Sequence, residues 1–172
     1  MSHLTSSLAV HNEILTHHPE YLDPLYRGYP YASREAAQSK SPVTPYDVPI
    51  FSYLDGKVSC QIVGEFIRQA ARKQGVELPK DLAAALDYFD EVTERDDITL
   101  KFLLEPGEMM IINNFTVLHS RTAFKNSPTH ERHLLRLWLD VPKGRKVIPV
   151  YHRQGEAYGN PQGRVVPTEA LA

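Results

Sequence analysis

Apolar residues recur at three- and four-residue spacing along several stretches of the chain, and this spacing predicts helices. The first helix is predicted over residues 6–18, where Ser6 or Ser7 can cap its N-terminus. Two more are predicted over residues 65–73 and 81–93. The last of these has the clearest apolar stripe, formed by Leu82, Leu86, Phe89 and Val92. We therefore expect helices that each pack one face against a core.

Two hairpins are predicted from short apolar runs that flank turn residues. Residues 48–54 and 58–63 lie on either side of an Asp-Gly-Lys sequence, and Asp-Gly is the preferred pair for a tight hairpin turn. Residues 98–104 and 108–113 lie on either side of a Pro-Gly pair, which favours a type II turn. The sequence therefore predicts four strands joined in antiparallel pairs.

A further strand is predicted over residues 132–141, where side chains alternate between two faces. With five or six strands and inserted helices, the pattern predicts a mainly β fold of the jelly-roll kind that has too few strands to close. The sequence predicts a long loop over residues 27–49 and a polar, mobile, glycine-bearing tail over residues 151–172. We expect one domain over residues 1–150.

Composition and charge exclude several classes of protein. The 172 residues are 42% hydrophobic and 23% charged, with a net charge of −2 and no basic block. Such a chain favours neither nucleic acid nor a membrane surface as a partner. The lone cysteine, Cys60, fits a reducing compartment, and neither a secretory signal nor a membrane-spanning run is recognisable. We expect a soluble cytoplasmic protein.

Candidate chemistry lies in the last predicted strand and just before it. Arg132 and Arg136 share one face of that strand, about 13 Å apart at the usual strand rise. Guanidinium groups in such a place either bind an anion or simply face water, and the pattern leaves both alternatives open. His119 follows a strand, and a lone histidine is more often a surface or core residue than a metal ligand.

Three stretches resemble the taurine dioxygenase/TfdA family of iron(II)- and 2-oxoglutarate-dependent dioxygenases, which includes γ-butyrobetaine hydroxylase-like enzymes. They are LEPGEMMIINNFTVLHSRTAF (104–124), RHLLRLWL (132–139) and SSLAVHNEIL (6–15). The resemblance implies the C-terminal portion of a double-stranded β-helix of the clavaminate synthase-like kind. It also implies iron(II) and 2-oxoglutarate as cofactors of the complete family fold, with hydroxylation of a small organic substrate and release of succinate.

The resemblance assigns roles to individual residues. His119 matches the distal iron ligand, and Arg132 matches the arginine that binds the far carboxylate of 2-oxoglutarate. Arg136 matches a position that contacts an anionic group of the substrate in some members. Ser2, or else His3, lies near the hydroxyl position that helps to hold 2-oxoglutarate. Arg121 accompanies the histidine, and a structural ion pair is its expected role.

The family supplies its other two iron ligands as His-x-Asp/Glu, upstream of a Gly-Gly-acid-Ser/Thr stretch that aligns with about Met1. We therefore expect those two ligands to be missing from this chain. His11-Asn12-Glu13 and His18-Pro19-Glu20 match the letters of the motif, but residues two apart on a helix do not face the same way.

Three hypotheses follow. The chain is an N-terminally truncated oxygenase, a catalytically inactive remnant or interaction module of the same fold, or an oxygenase with an iron site rebuilt from His11, Glu13 and His119. The sequence leaves the identity of the substrate and the oligomeric state open.

Overall fold

The computed structural model describes residues 1–32, 42–125, 127, 132–139, 141 and 143–151. Strand β1 (Ser2–Ser6) leads directly into helix α1 (Ser7–His17), and a 3-10 turn (Pro19–Tyr21) leads into helix α2 (Leu22–Arg27). Next come strands β2 (Phe51–Leu54) and β3 (Lys57–Cys60), then helices α3 (Gly64–Gln74) and α4 (Lys80–Glu94). Strands β4 (Thr99–Phe102) and β5 (Val117–Arg121) complete the described elements.

The predicted helices are confirmed, and local chemistry explains where the first one begins. Ser6 is the N-cap of α1, and its hydroxyl accepts a hydrogen bond from the amide of Ala9. The stripe predicted for α4 is buried along its length, at Leu82, Leu86, Phe89 and Val92. With residues of α1, α2, β2 and α3, this stripe forms the core, in which Val10, Ile14, Leu25, Ile50, Phe51 and Ile67 are fully buried.

The first predicted hairpin is also confirmed. Strands β2 and β3 pair antiparallel from Phe51 opposite Cys60 to Leu54 opposite Lys57. Asp55 and Gly56 have φ angles of 50° and 74°, as a turn of the primed type requires. The final described segment packs against this hairpin, because Arg145 donates a hydrogen bond to the hydroxyl of Ser59 at 2.8 Å.

A three-stranded antiparallel sheet, in the order β4-β1-β5, places the N-terminal strand between two strands that lie about a hundred residues later in the chain. The second predicted hairpin is therefore wrong: β4 pairs with β1, and residues 108–113 form no strand. The sequence analysis missed β1, which lies between β4 and β5 and hydrogen-bonds to both. Its five residues are mostly polar, and both of its partners are far away in sequence.

The strand predicted over residues 132–141 is also absent where the structure describes it, at residues 132–139. The face expected to pack is open to solvent, with exposed fractions of 81% at Leu135 and 84% at Leu137. The physical reason is that no described strand pairs with this stretch, since a strand forms only when its backbone groups pair with a neighbouring strand. Leu139 and, in the failed hairpin, Met109 and Ile111 are exposed in the same way.

The described residues thus form antiparallel sheets with inserted helices, as expected, but more of them are helical than extended. Sheets of three and two strands do not by themselves make a double-stranded β-helix. Among the helices in the described ranges, none combines the length and the apolar character needed to cross a bilayer.

Candidate functional site

One face of the β4-β1-β5 sheet carries two of the predicted site residues. Leu4 lies opposite His119, and Ser2 lies opposite Arg121. Residues directly opposite each other in an antiparallel pair, and residues two apart along a strand, point to the same side of the sheet. Ser2, His119 and Arg121 therefore share a face, which we call the His119 face. From β4, Leu100 and Phe102 complete this face.

The other face of the sheet is turned towards the core. Thr5 and Thr99 lie opposite each other there, are 4% and 5% exposed, and join their hydroxyls by a hydrogen bond of 2.7 Å. Leu118 packs against the hydrophobic core from the same side. His3 also lies on this side, so the register favours Ser2 over His3 as the residue that accompanies His119.

The environment of His119 is partly desolvated and positively charged. Although the residue as a whole is exposed, enough protein surrounds its imidazole for burial to lower its pKa from the usual value, and the nearby charge of Arg136 lowers it further. A depressed pKa keeps the ring neutral near pH 7, which is the form that binds a metal. Arg136 in turn lies over the ring of Trp138, with its guanidinium carbon 4.6 Å from the ring centroid.

Phe124 brings two more arginines to the end of β5. The guanidinium carbon of Arg121 is 4.5 Å from the centroid of the phenyl ring, and that of Arg132 is 5.2 Å from it. Both distances are within the range of a cation–π contact. The sequence analysis missed Phe124, although it lies only five residues after His119. The structural ion pair expected for Arg121 is not found with any carboxylate in the described ranges.

The structure thus places Ser2 and His119 on one face, Arg136 near His119, and Arg132 with Arg121 on Phe124. The sequence-based reason for grouping Arg132 with Arg136, a shared strand face, is wrong because residues 132–139 are not extended into a strand. The described structure instead places Arg132 on the ring of Phe124, and Arg136 close enough to His119 to influence its pKa.

The two sequences that imitate the iron motif have other partners. The Nε2 atom of His11 lies 3.0 Å from the hydroxyl of Tyr26, and Glu13 forms an ion pair with Arg95. His18 pairs with Glu20 at 3.1 Å within the loop that follows α1. The described structure therefore does not assemble the rebuilt site that would join His11 and Glu13 to His119.

A cleft of about 340 Å³ lies elsewhere, between α2 and the loop before β2. It is lined by Arg27, Asp47 and Gln74 among others and includes none of the predicted site residues. The guanidinium of Arg27 is engaged by Asp81 at 2.6 Å and by Asp23 at 3.3 Å. This cleft therefore offers a charge that is already neutralised.

The donor set on the His119 face decides how much of an iron site the chain can form. Non-haem iron(II) in oxygenases of this type needs two imidazoles and one carboxylate on one side of the metal. Over the described ranges, no three His, Cys, Asp or Glu side chains lie close enough to hold a metal. His119 fits one ligand position, but the described residues do not complete the set.

Comparison with known proteins defines the class. Residues 1–138 match the family model described as taurine catabolism dioxygenase TauD, TfdA family. The chain therefore belongs to this dioxygenase family, whose members depend on iron(II) and 2-oxoglutarate.

Two relatives show how much of a family protein the chain represents. It is 32% identical over 149 residues to FR-33289 synthase of Streptomyces rubellomurinus. This alignment covers 84% of this chain and 44% of the relative. The chain is 28% identical over 141 residues to taurine hydroxylase-like protein SAT17 of Stachybotrys chartarum, which covers 78% of this chain and 34% of the relative. The chain thus spans less than half the length of either relative.

Proposed function

We propose that this chain provides the C-terminal part of an iron(II)- and 2-oxoglutarate-dependent dioxygenase that hydroxylates a small organic substrate and releases succinate. The observation that carries the proposal is the grouping of Ser2 with His119 on one sheet face, with Arg136 near the imidazole. Membership of the family supports the class of reaction.

Each residue has a distinct proposed role. The imidazole of His119 supplies one iron ligand, and its lowered pKa keeps it in the neutral, metal-binding form. Arg132 binds the far carboxylate of 2-oxoglutarate, because the planar guanidinium matches a carboxylate in geometry and charge. The hydroxyl of Ser2 helps to hold the same molecule, and Arg136 contacts an anionic group of the substrate. Bound iron would supply the activation of O₂.

The remaining two iron ligands come, in this proposal, from polypeptide that the present sequence does not include. With one ligand of three, the chain alone has little affinity for iron(II). We therefore expect the purified 172-residue chain to form no succinate when it is supplied with iron(II), 2-oxoglutarate and ascorbate. Metal-dependent formation of succinate by this chain would contradict the expectation.

A chimera tests the proposal directly. The part of FR-33289 synthase that lies outside the region similar to this chain would be fused ahead of residues 1–172. We expect succinate formation that His119→Ala abolishes. Arg132→Ala removes one partner of a charged hydrogen bond, which costs about 2–5 kcal/mol and raises the KM for 2-oxoglutarate by about 30-fold or more.

Arg72→Ala is the matched control, because Arg72 is an exposed arginine of α3 that pairs only with Glu65 among the described carboxylates. It should leave the KM within about twofold, as expected of an exposed ion pair. A folded chimera with no turnover favours the alternative hypothesis of an inactive remnant or interaction module. A KM that Arg132→Ala leaves unchanged removes Arg132 from the site.

A further inference from the structure

Phe124 holds two guanidinium groups at the end of β5, and nothing in the proposed function explains the second one. Arg121 and Arg132 have their guanidinium carbons 4.5 Å and 5.2 Å from the centroid of the same ring. The two positive charges therefore lie within about 10 Å of each other, roughly one Debye length at moderate salt. Their repulsion is only partly screened.

The position of Phe124 is unusual for a residue that serves packing alone. Its ring is 46% exposed, and it does not belong to the buried core cluster. A phenyl ring attracts cations to its faces, so this ring fixes where both guanidinium groups lie. A side chain that is fixed before a ligand arrives loses less freedom when the ligand binds.

The His119 face brings this pair next to the proposed cosubstrate position. Arg121 lies two residues from His119 along β5 and directly opposite Ser2 in the sheet. It therefore shares a face with both residues. An anion that reaches Arg132 on Phe124 is thus also within the field of Arg121.

We propose that Arg121 and Arg132 form a two-guanidinium binding site for a dicarboxylate, and that Phe124 is the positioning residue that holds both. The proposal rests on the proposed function in one respect, the role of Arg132 in binding 2-oxoglutarate. It adds Arg121 as a second binding residue and assigns the exposed ring of Phe124 the role of positioning both guanidinium groups. A dicarboxylate within reach of both guanidinium groups gains charge-assisted hydrogen bonds from each.

Titration of the 172-residue chain with 2-oxoglutarate tests this site without any metal. Isothermal titration calorimetry gives the affinity, and the emission of Trp138, the single tryptophan, gives a second readout because its ring lies against Arg136. Acetate is the monocarboxylate comparison. We expect Arg121→Ala to weaken 2-oxoglutarate binding about tenfold and Arg132→Ala to weaken it about 30-fold or more, as the loss of a charge-assisted hydrogen bond predicts.

Variants of the ring separate positioning from packing. Phe124→Leu keeps an apolar side chain but removes the aromatic face, so it should weaken binding about threefold or more. Phe124→Tyr retains an aromatic ring and should keep the affinity within about twofold of that of the unaltered chain. Arg72→Ala, which removes an exposed arginine of α3, should have no effect. Circular dichroism of each variant shows whether it has kept its fold.

The outcomes distinguish this proposal from the proposed function. If Arg132→Ala weakens binding and Arg121→Ala does not, the paired site is refuted while the role of Arg132 stands. If Arg121→Ala weakens binding and Arg132→Ala does not, the proposed role of Arg132 is refuted as well. Equal effects of Phe124→Leu and Phe124→Tyr refute the positioning role. Absence of 2-oxoglutarate binding by the unaltered chain refutes the two-guanidinium site.

Discussion

The hydrogen bond between Thr5 and Thr99 lets us predict two unequal losses of stability from two similar substitutions. The hydroxyl of Thr99 lies 2.6 Å from the carbonyl oxygen of Thr93 and donates its hydrogen there. It therefore has no hydrogen left for Thr5, so Thr5 must be the donor in the 2.7 Å bond between the two hydroxyls. The pair joins β1 to β4 behind the His119 face.

The direction of these bonds sets the magnitudes. Thr5→Val removes a donor but leaves Thr99 bonded to Thr93, so it should cost about 0.5–1.5 kcal/mol of unfolding free energy. Thr99→Val leaves the buried hydroxyl of Thr5 without its acceptor and the carbonyl of Thr93 without this donor, so it should cost more, about 1–3 kcal/mol. The double variant should be no less stable than Thr99→Val alone, because it no longer contains a buried Thr5 hydroxyl without an acceptor.

Urea denaturation followed by circular dichroism measures all three variants, and an unchanged slope shows that stability alone has changed. Thr16→Val is the control: Thr16 is an exposed residue of α1 whose hydroxyl donates to the carbonyl of Asn12, and the substitution should change stability by no more than about 0.5 kcal/mol. Equal losses for Thr5→Val and Thr99→Val would refute the assigned direction of the bond, and with it the account of how β1 is fixed.

Three further predictions concern the site, the surface and the backbone. Arg136→Ala should raise the pKa of His119 towards its usual value, because a nearby positive charge is removed. An unchanged pKa in an NMR titration of the imidazole would show that Arg136 does not lie near His119. We expect the 172-residue chain to self-associate through its exposed apolar side chains, and Leu137→Glu to reduce the association measured by light scattering, because Leu137 is 84% exposed. Unchanged association would show that Leu137 does not contribute to it. Gly28→Ala should lower the Tm more than Gly56→Ala. Both glycines have positive φ, but of the two only Gly28 would place a Cβ 2.4 Å from a backbone carbonyl. Similar decreases in Tm for the two variants would contradict this reasoning.

Elements specified by local chemistry could be predicted from the sequence. The N-terminus of α1 follows from the hydroxyl of Ser6, and the β2–β3 hairpin follows from Asp55 and Gly56 at the turn. In both, the residues that decide the structure lie within a few positions of each other. Local preference and final structure therefore agree there.

Elements that depend on distant partners could not be predicted. β1 has a weak strand pattern of its own, and it is a strand because residues about a hundred positions later pair with both of its edges. Conversely, residues 132–139 have a strong two-residue alternation and are not a strand where described. Alternation shows which residues could form a strand, whereas hydrogen-bonded partners decide whether they do.

The proposed members of the candidate site came from the family resemblance, which did not give their arrangement. His119, Arg132 and Arg136 came from the family resemblance, and their sequence spacing could not show which of them are neighbours. The structure brings Arg136 close to the imidazole and Arg132 to the ring of Phe124. Contacts of this kind depend on how the chain folds back after β5, which no local pattern specifies.

The sheet also determines from which side an iron site at His119 can be completed. Thr5 and Leu118 occupy the core side of β1 and β5, so no further ligands can approach the imidazole from there. On the His119 face, the imidazole is only partly desolvated, and Leu100 is 62% exposed among the described residues. If His119 is an iron ligand, as we propose, a segment that supplied the other two ligands would approach from this face and would also remove its exposed apolar side chains from water. On this geometry, one added segment would both complete the proposed metal site and bury this face of the sheet.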